Sequence, residues 1–158
     1  MKHVITALVE NKPGVLARIV GLISGRGFNI DTLNVAPTQN PAISRLTMKV
    51  PGDDHVLEQV TKQLNKLIDV IKVSDLTQEK YLSRELILID VAATSKNRSE
   101  VIELAALFDA KVVSVQHKSI TLQMVGEEDK IDDFLELLKP YGIQDISRTG
   151  LIAVARTK

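Results

Sequence analysis

The sequence predicts an α+β protein made of two tandem ferredoxin-like domains. Three observations carry this expectation. Short runs rich in Val, Ile and Leu alternate with polar residues, as half-buried strands do. Between them lie segments with apolar residues at i, i+3 and i+4, as in amphipathic helices. The order β-α-β-β-α-β can be written twice along the 158 residues, and that order is the ferredoxin-like arrangement. A polar break, Leu76-Thr77-Gln78-Glu79-Lys80, separates the two runs. The expected division is residues 1–76, a linker at 77–83, and residues 84–158.

In the first half, Val4 to Val9 reads as a strand and Pro13 to Ser24 as a helix. Val15, Leu16, Ile19, Val20, Leu22 and Ile23 form the inner side of that helix, with Arg18 and Ser24 outside. Gly25-Arg26-Gly27 stops it, because glycine takes the left-handed conformation that ends helices. A strand is expected from about Phe28 to Ala36, its alternation slipping between Ile30 and Leu33. Pro37 to Pro41 is a loop of turn residues. The next strand sets Leu46, Met48 and Val50 against Arg45, Thr47 and Lys49. Pro51-Gly52-Asp53-Asp54 turns the chain and caps a second helix, whose buried stripe is Val56, Leu57, Val60, Leu64 and Leu67. Val70 to Val73 closes the first set.

The second half restarts with Glu85 to Val91, nearly continuous in apolar residues, as a strand covered on both faces would be. Ser95 to Arg98 offers capping residues to a helix with Val101, Ile102, Ala105 and Phe108 inward. Lys111 to Val115 and Ile120 to Val125 pair as a hairpin through Gln116-His117-Lys118-Ser119. Gly126 to Asp129 opens a helix with Ile131, Phe134, Leu135 and Leu138 inward, and Ile143 to Ile146 is the last strand of the repeat. A short strand at Leu151 to Ala155 can follow. Domains this small bury only about 60–65 % of their unfolded surface, and open sheet edges invite pairing. Oligomerisation is therefore the physical expectation.

Composition narrows the chemistry. An apolar share of 44 % with 25 % charged residues is ordinary for a globular protein. Twenty basic and twenty acidic residues cancel, and no basic stripe is visible, so no nucleic-acid partner is expected. No apolar run approaches the length that spans a bilayer, and Met1 to Val4 leads into a strand without a signal-peptide pattern. The expected location is the cytoplasm, with no membrane partner. The absence of cysteine excludes disulfides and thiol chemistry.

Catalytic constellations are missing too. His3, His55 and His117 are scattered and read as surface or edge residues. Glu127-Glu128-Asp129 and Asp132-Asp133 fall at a helix start, where acids favour the dipole. Gly21, Gly25 and Gly27 lie at a helix end and do not match G-x-G-x-x-G. Aromatics amount to 3 %, too few for a base-stacking sheet. No catalytic residue, metal ligand or cofactor site is expected in this chain.

What remains is the stretch Glu10-Asn11-Lys12-Pro13-Gly14-Val15-Leu16-Ala17-Arg18, with Arg26-Gly27-Phe28-Asn29-Ile30-Asp31 one helix later. Pro13 suits a first helical turn, Asn11 suits a cap, and Gly14 lets a ligand approach the main chain. A helix start with open amides favours a carboxylate or phosphate. An ordinary helix entry with solvent on its amides would read the same.

These residues, with the element order, resemble the ACT domain, a small-molecule sensing module. Pro13 to Arg18, Gly27-Phe28-Asn29-Ile30-Asp31-Thr32-Leu33, Val35-Ala36-Pro37-Thr38 and Ser44-Arg45-Leu46-Thr47 resemble more closely the regulatory (small) subunits of acetolactate synthase, also called acetohydroxyacid synthase. Leu57 to Leu67 and Val70 to Val73 continue the likeness, and Arg84-Glu85-Leu86 fits the start of that family's second domain, where the match is looser.

The resemblance implies a subunit with no active site of its own. It implies a catalytic (large) subunit as partner, which uses thiamine diphosphate, Mg²⁺ and FAD to condense two pyruvates, or pyruvate with 2-oxobutyrate. It further implies activation of that subunit and feedback inhibition by a branched-chain amino acid, usually valine, bound where two ACT domains meet. Carried onto this sequence, Asn11, Gly14, Val15 and Leu16 of one copy would face Asn29 and Ile30 of another. The amides around Gly14 to Leu16 would hold the carboxylate, and the side-chain carbonyls of Asn11 and Asn29 would accept from the ammonium. Leu16 and Ile30 would wall the isopropyl group, although both suit a place in the core equally well. Two other classes fit the sequence less well: a free-standing ACT sensor acting on another enzyme or on transcription, for which no basic DNA-binding helix is visible, and a small ferredoxin-like enzyme, for which converging acid–base residues are missing.

Overall fold

The computed structural model describes residues 2–156, and the fold class is the predicted one. Chain order is β1 (Lys2–Glu10), α1 (Val15–Gly25), β2 (Thr32–Pro37), β3 (Ile43–Pro51), α2 (Asp54–Asn65), β4 (Val70–Asp75), β5 (Tyr81–Ala92), α3 (Arg98–Leu107), β6 (Lys111–Val115), β7 (Ser119–Gly126), α4 (Glu128–Leu138), β8 (Ile143–Arg148) and β9 (Ile152–Ala155). A 3₁₀ turn, Lys139–Tyr141, follows α4. The chain forms two compact units: residues up to Leu82 joined by the segment from Gly150 onward, and Ser83–Thr149.

In the first unit the sheet order is β2-β3-β1-β4, all antiparallel. Cross-strand partners place their side chains on the same face, so Ile5↔Met48 and Ala7↔Leu46 turn together toward α1 and α2. There they join Val15, Ile19, Ile23, Val60 and Leu64 in a core whose members are nearly all inaccessible to solvent. The Asp53 side chain caps α2 as expected, accepting from the Val56 amide at 3.0 Å.

The opposite face of this sheet differs from the expectation. Thr47 and Lys49, read as the solvent side of β3, are buried, as is Thr6 of β1. The cover is the returning segment: Leu151 and Ala153 cluster with Val4 and Leu76, and Val4 pairs directly with Lys49. The cover lies a hundred residues away in sequence, so local alternation could not reveal it.

Three further expectations need correction. The strand expected from Phe28 begins only at Thr32, because the end of α1 consumes the residues before it. Gly27 takes φ +78°, its N–H donates to Ser24 O, and the Phe28 N–H donates to Ile23 O. This is the Schellman closure, and it turns Phe28 back onto the core. His3, expected at a surface or edge, is fully buried opposite Val50, and neither ring nitrogen has a hydrogen-bond partner among the described residues. Ile102, expected inward, is 41 % exposed, while Val101 and Ala105 fill that role.

The second unit repeats the topology as β6-β7-β5-β8. Ile87, Ile89, Val91, Ile120, Leu122 and Met124 meet Val101, Ile131, Phe134 and Leu138 in its core. The rings of Phe108 and Phe134 pack at 5.0 Å between centroids. The expectation that β5 is covered on both faces fails here, since Leu88 is 41 % exposed. Glu85, also on β5, is buried and held bidentately by Arg148 at 2.6 and 3.1 Å.

Candidate functional site at the start of the first helix

The turn between β1 and α1 is fixed by backbone bonds. The Glu10 amide donates to Asp69 O and the Asn11 amide to Ala42 O, so the chain leaves the sheet in a fixed direction. The Asn11 side chain donates to Pro41 O at 2.9 Å. It therefore ties two loops together and does not cap the helix, a correction to the sequence reading. The residue at the cap is Gly14, in the left-handed conformation (φ +84°, ψ −9°) with no side-chain cap. Such a backbone suits glycine because a Cβ would crowd the chain. Pro13 consequently lies just outside α1, which starts at Val15 and not at Pro13.

The first intrahelical bond of α1 runs from the Arg18 N–H to Gly14 O at 3.0 Å. The amides of Val15, Leu16 and Ala17 have no acceptor four residues back, and the Val15 N–H reaches only Lys12 O, at 3.4 Å. These are the amides that the sequence reading assigns to an anion. Val15 is buried and Leu16 is 39 % exposed: the first belongs to the core and the second is free to meet a ligand.

Beside them lies a groove of about 220 Å³, lined by Asn11, Lys12, Val15, Leu16, Val35 and Pro37 among others. Its far wall is β2, the outermost strand of the sheet. Four predicted residues thus fall in one neighbourhood: Asn11, Val15 and Leu16 line the groove, and Gly14 starts the helix beside it. Asn29 and Ile30 do not line it. They sit in the loop before β2, where Asn29 donates to the Asp31 carboxylate at 2.9 Å and Ile30 packs half-buried against the first core.

The sequence reading left out one residue that stands at this site. Arg18 lies one turn after Gly14, the i+4 spacing that brings side chains over one another, and its Nη1 would be 3.2 Å from a Cβ placed on Gly14. Its guanidinium binds Asp69 at 2.7 and 2.9 Å, which holds the cation in place. The i+4 spacing from Gly14 is visible in the sequence, but periodicity alone puts Arg18 on the solvated outer face of the helix. Among the described residues, no group of three or more His, Asp or Glu could hold a metal ion, and no helix is long and apolar enough to cross a membrane.

Comparison with known proteins decides the family. Residues 5–72 match the family model for the AHAS small subunit-like ACT domain, and residues 84–157 the model for the small subunit of acetolactate synthase. The chain belongs to the acetolactate synthase small-subunit family. A probable acetolactate synthase small subunit of Archaeoglobus fulgidus is 51 % identical over 156 residues, covering 99 % of this chain and 98 % of its relative. The small subunit of Aquifex aeolicus is 50 % identical, covering 98 % of this chain and 81 % of the relative. The crystal structure of the small subunit from Thermotoga maritima superposes with a TM-score of 0.89 at 34 % identity, covering 100 % and 99 % of the two chains. Both halves of the chain, including the loosely matching second one, are therefore accounted for by one family, and the first is an ACT domain.

Proposed function

We propose that this chain is the regulatory subunit of an acetolactate synthase in branched-chain amino acid synthesis. It acts in the cytoplasm, has no active site of its own, and joins a catalytic subunit that carries thiamine diphosphate, Mg²⁺ and FAD. It raises the activity of that subunit and makes it sensitive to a branched-chain amino acid, valine, bound between the ACT domains of a homodimer.

One observation carries the effector site: the uncapped start of α1 at left-handed Gly14 opens beside a small groove bounded by an edge strand. Three amides without intrahelical acceptors suit a carboxylate. Arg18, anchored on Asp69, brings its Nη1 beside Gly14 as a further charge-assisted donor. A groove of about 220 Å³ is smaller than the ~300–1,000 Å³ of sites for drug-sized ligands and suits a molecule of amino-acid size. Leu16 and Val35 offer apolar surface to a branched side chain. The edge of β2 leaves room for a second copy, whose Asn29 and Ile30 would close the site. Valine then stabilises one arrangement of the dimer, and the catalytic subunit responds to that arrangement; couplings of this kind are worth about 1–3 kcal/mol.

A free-standing sensor is not favoured, because the second half also matches the synthase small subunit. The test is reconstitution. The tagged chain should co-purify with a large thiamine-dependent synthase and raise its rate of acetolactate formation. Isothermal titration should give a saturable signal with valine that exceeds those with leucine and isoleucine. A chain that neither binds nor activates the synthase would overturn the proposal.

A further inference from the structure

We propose that the second unit holds a separate binding site for a small molecule bearing two or more adjacent oxyanion charges. The site is an open cleft of about 690 Å³ beside the β6–β7 hairpin, lined by Arg98, Gln116, His117, Lys118, Ser119 and Gln144, with Val115 as an apolar wall. That volume falls within the range of small-ligand sites. Its lining contains two cationic side chains, an imidazole, a hydroxyl and two amides, and no carboxylate.

Hairpin tips with polar residues are common, and most are only solvated turns. Here Arg98 distinguishes the tip. From the first turn of α3 its Nη2 donates to Gln116 O at 3.0 Å and to His117 O at 3.2 Å. The helix thereby pins the hairpin and holds His117 and Lys118 on one side of the cleft. Donors held in place before a ligand arrives lose less freedom on binding. The Nε of Arg98 is buried and has no hydrogen-bond partner among the described residues. A buried donor left unpaired costs about 1–3 kcal/mol. Neither Lys118 nor His117 has an ion-pair partner among the described residues. Guanidinium, ammonium and hydroxyl donors converging without a carboxylate match the acceptor-rich faces of phosphate esters and polycarboxylates.

This site shares no residue with the groove at Gly14, so it stands independently of the function proposed above. The test uses the full chain, titrated calorimetrically with pyrophosphate and separately with citrate at constant ionic strength, with sodium chloride as the control. Saturable binding of pyrophosphate alone identifies a phosphate ester as the ligand class, and binding of both identifies paired oxyanions generally. His117→Ala combined with Lys118→Ala changes only exposed tip residues; it should keep the circular dichroism spectrum and weaken binding at least tenfold. Arg98→Lys should weaken it as well, whereas Arg18→Gln at the other site should leave it unchanged. Absence of saturable binding by either anion, or equal binding by the hairpin double variant, would overturn the proposal.

Discussion

Gly14 and Arg18 form one corner of the helix entrance: a Cβ on Gly14 would stand 3.2 Å from Arg18 Nη1, and Arg18 is itself anchored on Asp69 at 2.7 Å. Any side chain introduced at position 14 therefore enters the space between the open amides and a fixed cation.

Gly14→Asp should exploit that corner. The left-handed backbone at φ +84° costs an L-residue about 1–2 kcal/mol, and aspartate tolerates it better than most. Its carboxylate would lie beside the Arg18 guanidinium, where the proposed ligand carboxylate binds. The expected result is loss of valine inhibition in the reconstituted synthase, with activation retained and a melting temperature lower by no more than about 8 °C. Inhibition at the wild-type valine concentration would refute the site assignment.

Arg18→Gln separates binding from stability. The Arg18–Asp69 pair is half exposed on the arginine side, and pairs of this kind contribute about 0–1 kcal/mol. Thermal denaturation should shift by only a few degrees. Calorimetric titration should show valine affinity reduced about tenfold, the loss of one charge-assisted hydrogen bond to a ligand. A large loss of stability with unchanged affinity would make Arg18 a structural residue only.

Much of the architecture was legible because it is local. Alternation placed β1 and β3, helical periodicity placed α2, and Gly27 marked the end of α1. What escaped depends on distant residues. Thr47 and Lys49 look solvent-facing, yet Leu151 and Ala153 return to cover their side of the sheet. Phe28 and Ile30 share the period of a strand, but their apolar side chains serve the closure of α1 and the first core. At the site, Asn11 to Leu16 could be read as a helix entry. The opposing wall at Val35 and Pro37 arises only from the sheet order, which sets β2 at its edge.

Asp53→Ala tests the cap of α2. The Val56 amide, donating to the Asp53 carboxylate, holds its pKa below the ordinary carboxylate value. A depressed folded-state pKa gives stability that is present above the unfolded value and is lost as pH falls through the folded one. The wild-type chain should therefore show a cap contribution at neutral pH that declines in acid. Asp53→Asn keeps an acceptor oxygen and should flatten this part of the pH dependence, while Asp53→Ala lowers the melting temperature at pH 7. Equal melting temperatures for wild type and Asp53→Ala across that range would show the cap to be inert.

The last prediction concerns Glu85 and Arg148 in the second unit. Glu85 is 4 % exposed, and Arg148, at 39 %, binds it bidentately. The hydrogen bond to Glu85 raises the Arg148 pKa above its ordinary value. A raised cation pKa gives stability that is fully present below the unfolded value, so the arginine's share is constant at physiological pH. Arg148→Met would strand a buried carboxylate, at a cost of about 1–3 kcal/mol, less than for a fully buried pair because water reaches the guanidinium. Replacing both residues, Glu85→Leu with Arg148→Met, removes the stranded charge and should recover most of the loss. Urea denaturation of the two single variants and the double variant measures the coupling directly. Additive losses would mean that the two residues act separately, and that the bidentate contact contributes nothing to folding.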